Sequence, residues 1–240
     1  MTSTYRDEHL RVLWRDEHLV VVNKPSGLLV HRGWGRDRDV AMTRVRDALG
    51  QHVNPVHRLD RATSGALLFA LSPVATTALG LLFQEGRVEK TYRALVRGVP
   101  AAEGTVDSPV PQTEDGPRVA AVTRYRLIAS SAVDRCSLVE VSPETGRLHQ
   151  IRRHMKHLGH PLIGDVNYGR GELNRHYRAT YGLHRLALHA CSLAFAHPLT
   201  GLALRIEAPM PDDLAGPLHA LGLLPSRDLS LRAQGRPGLS

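Results

Sequence analysis

The chain has 240 residues, with 31 Lys plus Arg against 23 Asp plus Glu, a formal charge of +8, 14 His and a hydrophobic share of 42%. That share and the mixed charge exclude a disordered or fibrous chain, and the length suits one large domain, expected here with two lobes. The basic balance fits a polyanionic partner without requiring one.

Only two cysteines occur, Cys136 and Cys191, too few for a disulfide framework or a zinc ribbon, and both are expected to be buried thiols. The N-terminal MTSTYRDEHL has no apolar core of signal-peptide length. The longest apolar runs, LVVV at 19–22 and ALLFAL at 66–71, are too short to span a bilayer. A cytoplasmic protein with no membrane contact is expected.

Along the chain, 19–22 and 28–30 read as short strands around the turn Asn23-Lys24-Pro25-Ser26-Gly27. A helix follows, with Asp39 as its cap, Ala41, Met42, Val45, Ala48 and Leu49 on one face, and Gly50 ending it. Residues 65–71 form an apolar strand, and Ser72-Pro73 then cap a helix that carries Val74, Ala78, Leu81 and Leu82 to Gly86. Segments near 88–97, 119–128 and 135–141 are strand-like in composition. A helix is expected over 147–158, then strands near 186–195 and 202–207 joined by the turn 197–201. From about Pro211 the periodicity fades, which predicts a catalytic domain over 1–211 and a mobile tail over 212–240. The fold class is α+β, with a large, mainly antiparallel sheet flanked by helices.

The densest chemical signal is His57-Arg58-Leu59-Asp60-Arg61-Ala62-Thr63-Ser64-Gly65, a carboxylate between two guanidiniums just before a buried strand. Flanking positive charge favours the ionised acid. On residues alone, such an Asp is more often a cap or a surface ion pair. Residues 147–157 hold Arg147, His149, Arg152, Arg153, His154, Lys156 and His157, a run that repels itself on an isolated helix. Something anionic must offset it. Arg152 and Lys156 fall one turn apart with His149 beside them, which suits phosphate or a carboxylate, whereas Arg153 and His157 fit a solvated face. The histidines lack the paired spacing of a zinc site, and neither GxGxxG nor GxxxxGK[ST] occurs, so no metal and no nucleotide cofactor are expected.

The nine residues at 57–65 match the form HRLDxxTSG and resemble the nucleophile motif of the RluA-type RNA pseudouridine synthases. Further blocks follow in that family's order: VVNKPSGLLVH at 21–31, EKTYRALVRG at 89–98, TGRLHQIRRHMKHLGHPLIGDVNYG at 145–169 and LHRLALHACSLAFAHPLTG at 183–201. The resemblance covers about residues 12–210. It implies the pseudouridine synthase catalytic fold, with Asp60 as catalytic aspartate, Tyr92 as active-site tyrosine, Arg152 as the arginine pairing with Asp60, and Arg58 as a residue that enters the RNA stack when the base leaves it.

Arg61, Arg147 and Lys156 are further candidates for RNA contact. Asp60 acts either as a nucleophile at C1′ or as a base at the 2′ position. On residues alone Tyr92 would be read as an ordinary core aromatic. Residues 164–190 are similar to the members of the family that modify tRNA, which implies uridine-65 of the T-stem as target and tRNA as partner of a monomeric enzyme. The stretch at 110–118 is shorter than that likeness leads one to expect, and ribosomal RNA, alone or with tRNA, is the alternative. A non-catalytic RNA-binding protein would not need Asp60, Tyr92 and Arg152 together. A glycoside hydrolase would need a second acid such as Glu144 or Asp165 at a fixed distance from Asp60.

Overall fold

The computed structural model describes residues 10–32 and 39–225. Strands β1 (Arg11–Arg15), β2 (Leu19–Lys24), β3 (Asn54–Pro55) and β4 (Ser64–Ala70) form the N-terminal half, with helices α1 (Ala41–Leu49) and α2 (Pro73–Gln84). Strands β5 (Glu89–Arg97), β6 (Glu103–Asp107), a small hairpin of β7 (Val110–Pro111) and β8 (Arg118–Val119), β9 (Val122–Ser130) and β10 (Cys136–Pro143) follow. The chain continues through α3 (Gln150–His157), α4 (Gly171–Tyr181), β11 (Leu188–Ala196), β12 (Ala203–Glu207) and α5 (Asp212–Ala220).

One sheet runs in the order β1-β2-β4-β11-β5-β10-β9-β6, with β12 beside β11 and β3 beside β4. All its ladders are antiparallel except the β4–β11 junction, where Ser64 faces His189 and Gly65 faces Ala190. Strand parity explains the unbroken apolar runs. Val20, Val22, Leu67 and Phe69 pack in one cluster with Ala41 and Val45 of α1 and Ile151 and Met155 of α3. Leu19, Val21, Ala66 and Leu68 pack in another with Ala75, Leu79 and Leu82 of α2. Strands covered on both sides have no polar face to alternate with.

At the β4–β11 junction Gly65 has φ +119, and a Cβ there would lie 2.1 Å from the Ala190 carbonyl oxygen. Glycine is required by both backbone conformation and contact.

Several boundaries differ from the sequence reading. Residues 28–30 are not a strand: Leu29 makes only an isolated bridge to Val40. The N-cap of α1 is Val40, whose amide donates to Thr43 Oγ1 (3.2 Å), while Asp39 pairs with Arg44. Helix α3 begins at Gln150 rather than near 147, because Leu148 and His149 form the turn that enters it, closed by the Gln150 amide on the Arg147 carbonyl (3.1 Å). Cys136 is buried, but Cys191 is only partly so.

Strands β1, β3, β6 and β7 and helices α4 and α5 went unforeseen. The tail expected from 212 is helical over Asp212–Ala220, where Leu214 and Leu218 share a cluster with Tyr177 of α4 and Leu95. Residues 226–240 of that expected tail lie outside the described residues. Among the described residues no helix is long and apolar enough to cross a membrane.

Candidate active site

The loop between β3 and β4 delivers Asp60 to the floor of a cleft of about 1200 Å³, whose lining includes Arg58, Tyr92, Arg147, His149 and Arg152. The turn after β2 fixes this loop from behind. Lys24 is fully buried, and its ammonium donates to the carbonyls of Pro25 (2.9 Å), Leu28 (2.7 Å) and Arg61 (3.2 Å). The Gly27 amide also donates to the Arg61 carbonyl (2.8 Å), and Ser26 Oγ donates to the Ala62 carbonyl (2.8 Å). Burial first, and Arg185 second, lower the Lys24 pKa to about 7, while Asp60 works the other way. On the near side, the Thr63 amide closes a turn onto the Asp60 carbonyl (3.0 Å). The backbone on either side of Asp60 is therefore held before any substrate arrives.

Tyr92 reaches the cleft because of its parity on β5. It shares the face of Ala94 and Val96, packed in the cluster that holds α3, whereas Leu95 points to the opposite cluster. Its pKa is raised, chiefly by burial and then by Asp60, so its hydroxyl keeps its proton.

Arg152 comes from α3 with its side chain 7% exposed. Its Nη1 donates to Asp60 Oδ2 at 3.2 Å. Its stronger partner is Asp165: Nε donates to Oδ2 at 2.7 Å and Nη2 to Oδ1 at 2.8 Å. Burial works against the guanidinium charge, but Asp165 and then Asp60 more than offset it and raise its pKa. The Asp165 pKa is lowered: burial pushes it up, and hydrogen bonds from Arg152 and the Tyr168 amide outweigh that. Asp165 also accepts from the amides of Asn167 (2.9 Å) and Tyr168 (3.0 Å), an Asx turn that folds Tyr168 back over α3. The Tyr168 ring centroid lies 5.0 Å from Arg152 Cζ, 5.4 Å from Arg153 Cζ and 5.7 Å from Lys156 Nζ.

His149, the N-cap of α3, has φ 53, alone among the described non-glycine residues in being positive. That backbone costs a histidine on the order of 1 kcal/mol and aims its ring into the site. Nδ1 meets Tyr168 Oη at 3.0 Å, and Nε2 lies 3.8 Å from Asp60 Oδ2. A lone pair on Nε2 would face the carboxylate, so Nε2 carries the proton and Nδ1 accepts from Tyr168.

Of the residues singled out in the sequence, Asp60, Tyr92, Arg152, Arg58 and Arg147 come together around the cleft. Arg58 is exposed there, and Arg147 Nε also donates to the Ala120 carbonyl (3.3 Å). Arg61 instead turns its Nε to the Gly27 carbonyl (2.9 Å), and Lys156 lines a second, smaller groove. Asp165, weighed as the second acid of a hydrolase, is neutralised by Arg152 and wholly buried, which removes it from that role. Sequence reasoning set His149 beside Arg152 without giving it a role, and did not single out Lys24 or Tyr168 as parts of the site, although each lies inside a quoted block. Among the described residues no group of three or more His, Cys, Asp or Glu could hold a metal. His154 is turned instead to Thr123 Oγ1 and the Ser108 carbonyl, and His160 to the Arg97 carbonyl.

A family model for RNA pseudouridylate synthase matches residues 18–157. The chain is 44% identical to tRNA pseudouridine synthase C of Pasteurella multocida, over 83% of this chain and 90% of that one. It is 41% identical to the protein of that name from Vibrio parahaemolyticus, over 85% and 91%. Against the Pectobacterium carotovorum protein of the same name it is 43% identical over 83% of its length, but spans only 58% of that longer relative. Among solved structures, human RNA Pseudouridylate Synthase Domain Containing 4 superposes with a TM-score of 0.72 at 28% identity, over 89% of this chain and 93% of that one.

Proposed function

The chain belongs to the RNA pseudouridylate synthase family, and from that membership we propose that it isomerises uridine in tRNA, at uridine-65 of the T-stem. The likeness to the bacterial tRNA enzymes supports the substrate. What supports the chemistry most is the meeting of Asp60 and Arg152, 92 positions apart in sequence, at the floor of a cleft that Tyr92 also lines.

In the reaction the C1′–N1 bond breaks, the uracil turns, C5 bonds to C1′, and the C5 proton leaves while N1 regains one. The base must first leave the helix, at a cost of a few kcal/mol. Asp60 acts on the ribose as nucleophile or base, and Arg152 keeps that carboxylate oriented and charge-paired in a site shielded from water. Tyr92 offers a flat face to the uracil and a protonated hydroxyl near it. Arg58, exposed at the cleft wall, fills the space the base vacates, and Arg61, Arg147 and Lys156 contact the RNA backbone. The reaction requires neither metal nor cofactor, and the enzyme works as a cytoplasmic monomer.

The test is tritium release from C5-labelled uridine in a tRNA transcript, after exhaustive chelation. Wild type is expected to turn over and Asp60→Asn to be inactive while still binding RNA. Turnover near wild type in the Asn variant removes Asp60 from the chemistry. Efficient modification of ribosomal RNA fragments but not tRNA defeats the substrate reading alone. That alternative gains some support from the short β7–β8 hairpin.

A further inference from the structure

Beside the cleft lies a groove of about 290 Å³ between the β7–β8 hairpin and α3. Its lining holds no carboxylate: Arg118 comes from the hairpin, and Arg153 and Lys156 from α3, beside the imidazoles of His154 and His157. Neither Glu114 nor Asp115 of the same hairpin lines it. Arg152, one residue away, is neutralised by two carboxylates, but none pairs with Arg118, Arg153 or Lys156 among the described residues. Arg153 is only partly exposed, and its Nε is buried without a hydrogen-bond partner. A guanidinium that loses water and gains no acceptor is costly.

Nor does the wall supply one. The Ser108 carbonyl is taken by His154 and the Pro109 carbonyl by Arg118. Tyr168 lines the groove, and its ring carries Arg152, a residue of the cleft lining, as well as Arg153 and Lys156. Arg152 also touches Asp60, so the groove adjoins the cleft that holds the reacting carboxylate.

We propose that this groove holds phosphate groups of the RNA strand adjoining the target uridine, with Arg118 and Arg153 as the clamping pair. The inference rests on the RNA synthase reading and extends it. Residues that the sequence assigns to a solvated face become a phosphate subsite, and the hairpin sets how deeply the adjoining stem can enter.

The experiment measures binding of an unmodified tRNA transcript over a range of salt, for wild type and for Arg118→Gln/Arg153→Gln. Each phosphate contact contributes roughly 0.7–0.9 to the slope of log affinity against log salt. The double variant is expected to lose about 1.5 from that slope and about tenfold in affinity at moderate salt, with single-turnover rate at saturating enzyme within about twofold of wild type. The charge-preserving Arg118→Lys/Arg153→Lys should regain most of the slope, which a misfolded protein would not.

Unchanged slope and affinity in the Gln variant overturn the subsite, as does a collapse of single-turnover rate with binding intact. Pseudouridine formation by wild type on the same transcript is followed in parallel. If it is absent, the tRNA reading fails, and the slope comparison still decides the groove.

Discussion

Arg152 and Asp165 form a buried two-pronged ion pair, at 2.7 and 2.8 Å, on an aspartate side chain with no exposure to solvent. The longer bond from Arg152 to Asp60, 3.2 Å, is made by the remaining Nη1. Asp165 therefore sets where the guanidinium stands, and Asp60 meets a cation already fixed in place.

Asp165→Asn keeps the shape and removes the anchor's charge. Arg152 then has Asp60 as its only carboxylate and shifts towards it. A stability loss of about 3 kcal/mol is expected in urea unfolding, since a buried charge has lost its main partner. Single-turnover rate should fall by about tenfold or more, equivalent to about 1.4 kcal/mol on the barrier. Turnover within twofold of wild type would mean that the pair is purely structural.

His149 separates backbone strain from side-chain function. With φ 53, His149→Gly relieves the left-handed conformation that His149→Ala leaves in place. Gly should be the more stable of the two by about 1 kcal/mol in thermal melts. Both should lose turnover alike, because both remove the ring whose Nε2 lies 3.8 Å from Asp60 Oδ2. An active Gly variant would show that the ring is dispensable.

Gly65→Ala places a methyl 2.1 Å from the Ala190 oxygen, at a φ of +119 that L residues rarely adopt. Backbone cannot move aside cheaply, so a loss of about 4 kcal/mol or more is expected, in yield of folded protein and in melting temperature. Gly80→Ala is the matched control. It lies within α2 with nothing inside 4 Å of the added carbon and should gain about 1 kcal/mol. Equal effects at the two positions would contradict the close approach at the β4–β11 junction.

Stability should fall on mild acidification. Desolvation, with Lys90, lowers His57 to about 3, and desolvation, with Arg185, lowers His189 to about 4. Both rings are held neutral: Nε2 of His57 accepts the Leu68 amide (3.0 Å), and His189 lies between Ser64 Oγ (2.8 Å) and the Ala208 carbonyl (3.1 Å). The unfolded chain takes up these protons near pH 6.5 and the folded one does not. The stability they contribute is therefore complete above about pH 6.5 and is lost towards pH 4, at up to about 1.4 kcal/mol per pH unit for each. Urea midpoints between about pH 7.5 and 5 measure this, and His189→Asn should flatten the dependence. A midpoint that rises on acidification would reverse the assigned sign.

Local pattern carried much of the architecture. The apolar runs of β2 and β4, Ser72-Pro73 ahead of α2, and Gly50 after α1 act through nearest neighbours and backbone preference, so a linear reading finds them. The motif 57–65 points to Asp60 through its family resemblance, whereas the reason for Gly65 within it, the close approach of Ala190, is visible only in the sheet. Helices α4 and α5 escaped that reading because their apolar faces are narrow, and they are held by burying Tyr177, Leu214 and Leu218 together with Leu95. Only tertiary structure decided how charge is shared among the basic residues. The sequence shows a self-repelling run at 147–157, but which member is neutralised depends on Asp60 and Asp165 arriving from other segments. Arg152 receives both, and Arg153 beside it receives neither, because successive residues of a helix point about 100° apart and meet different neighbours.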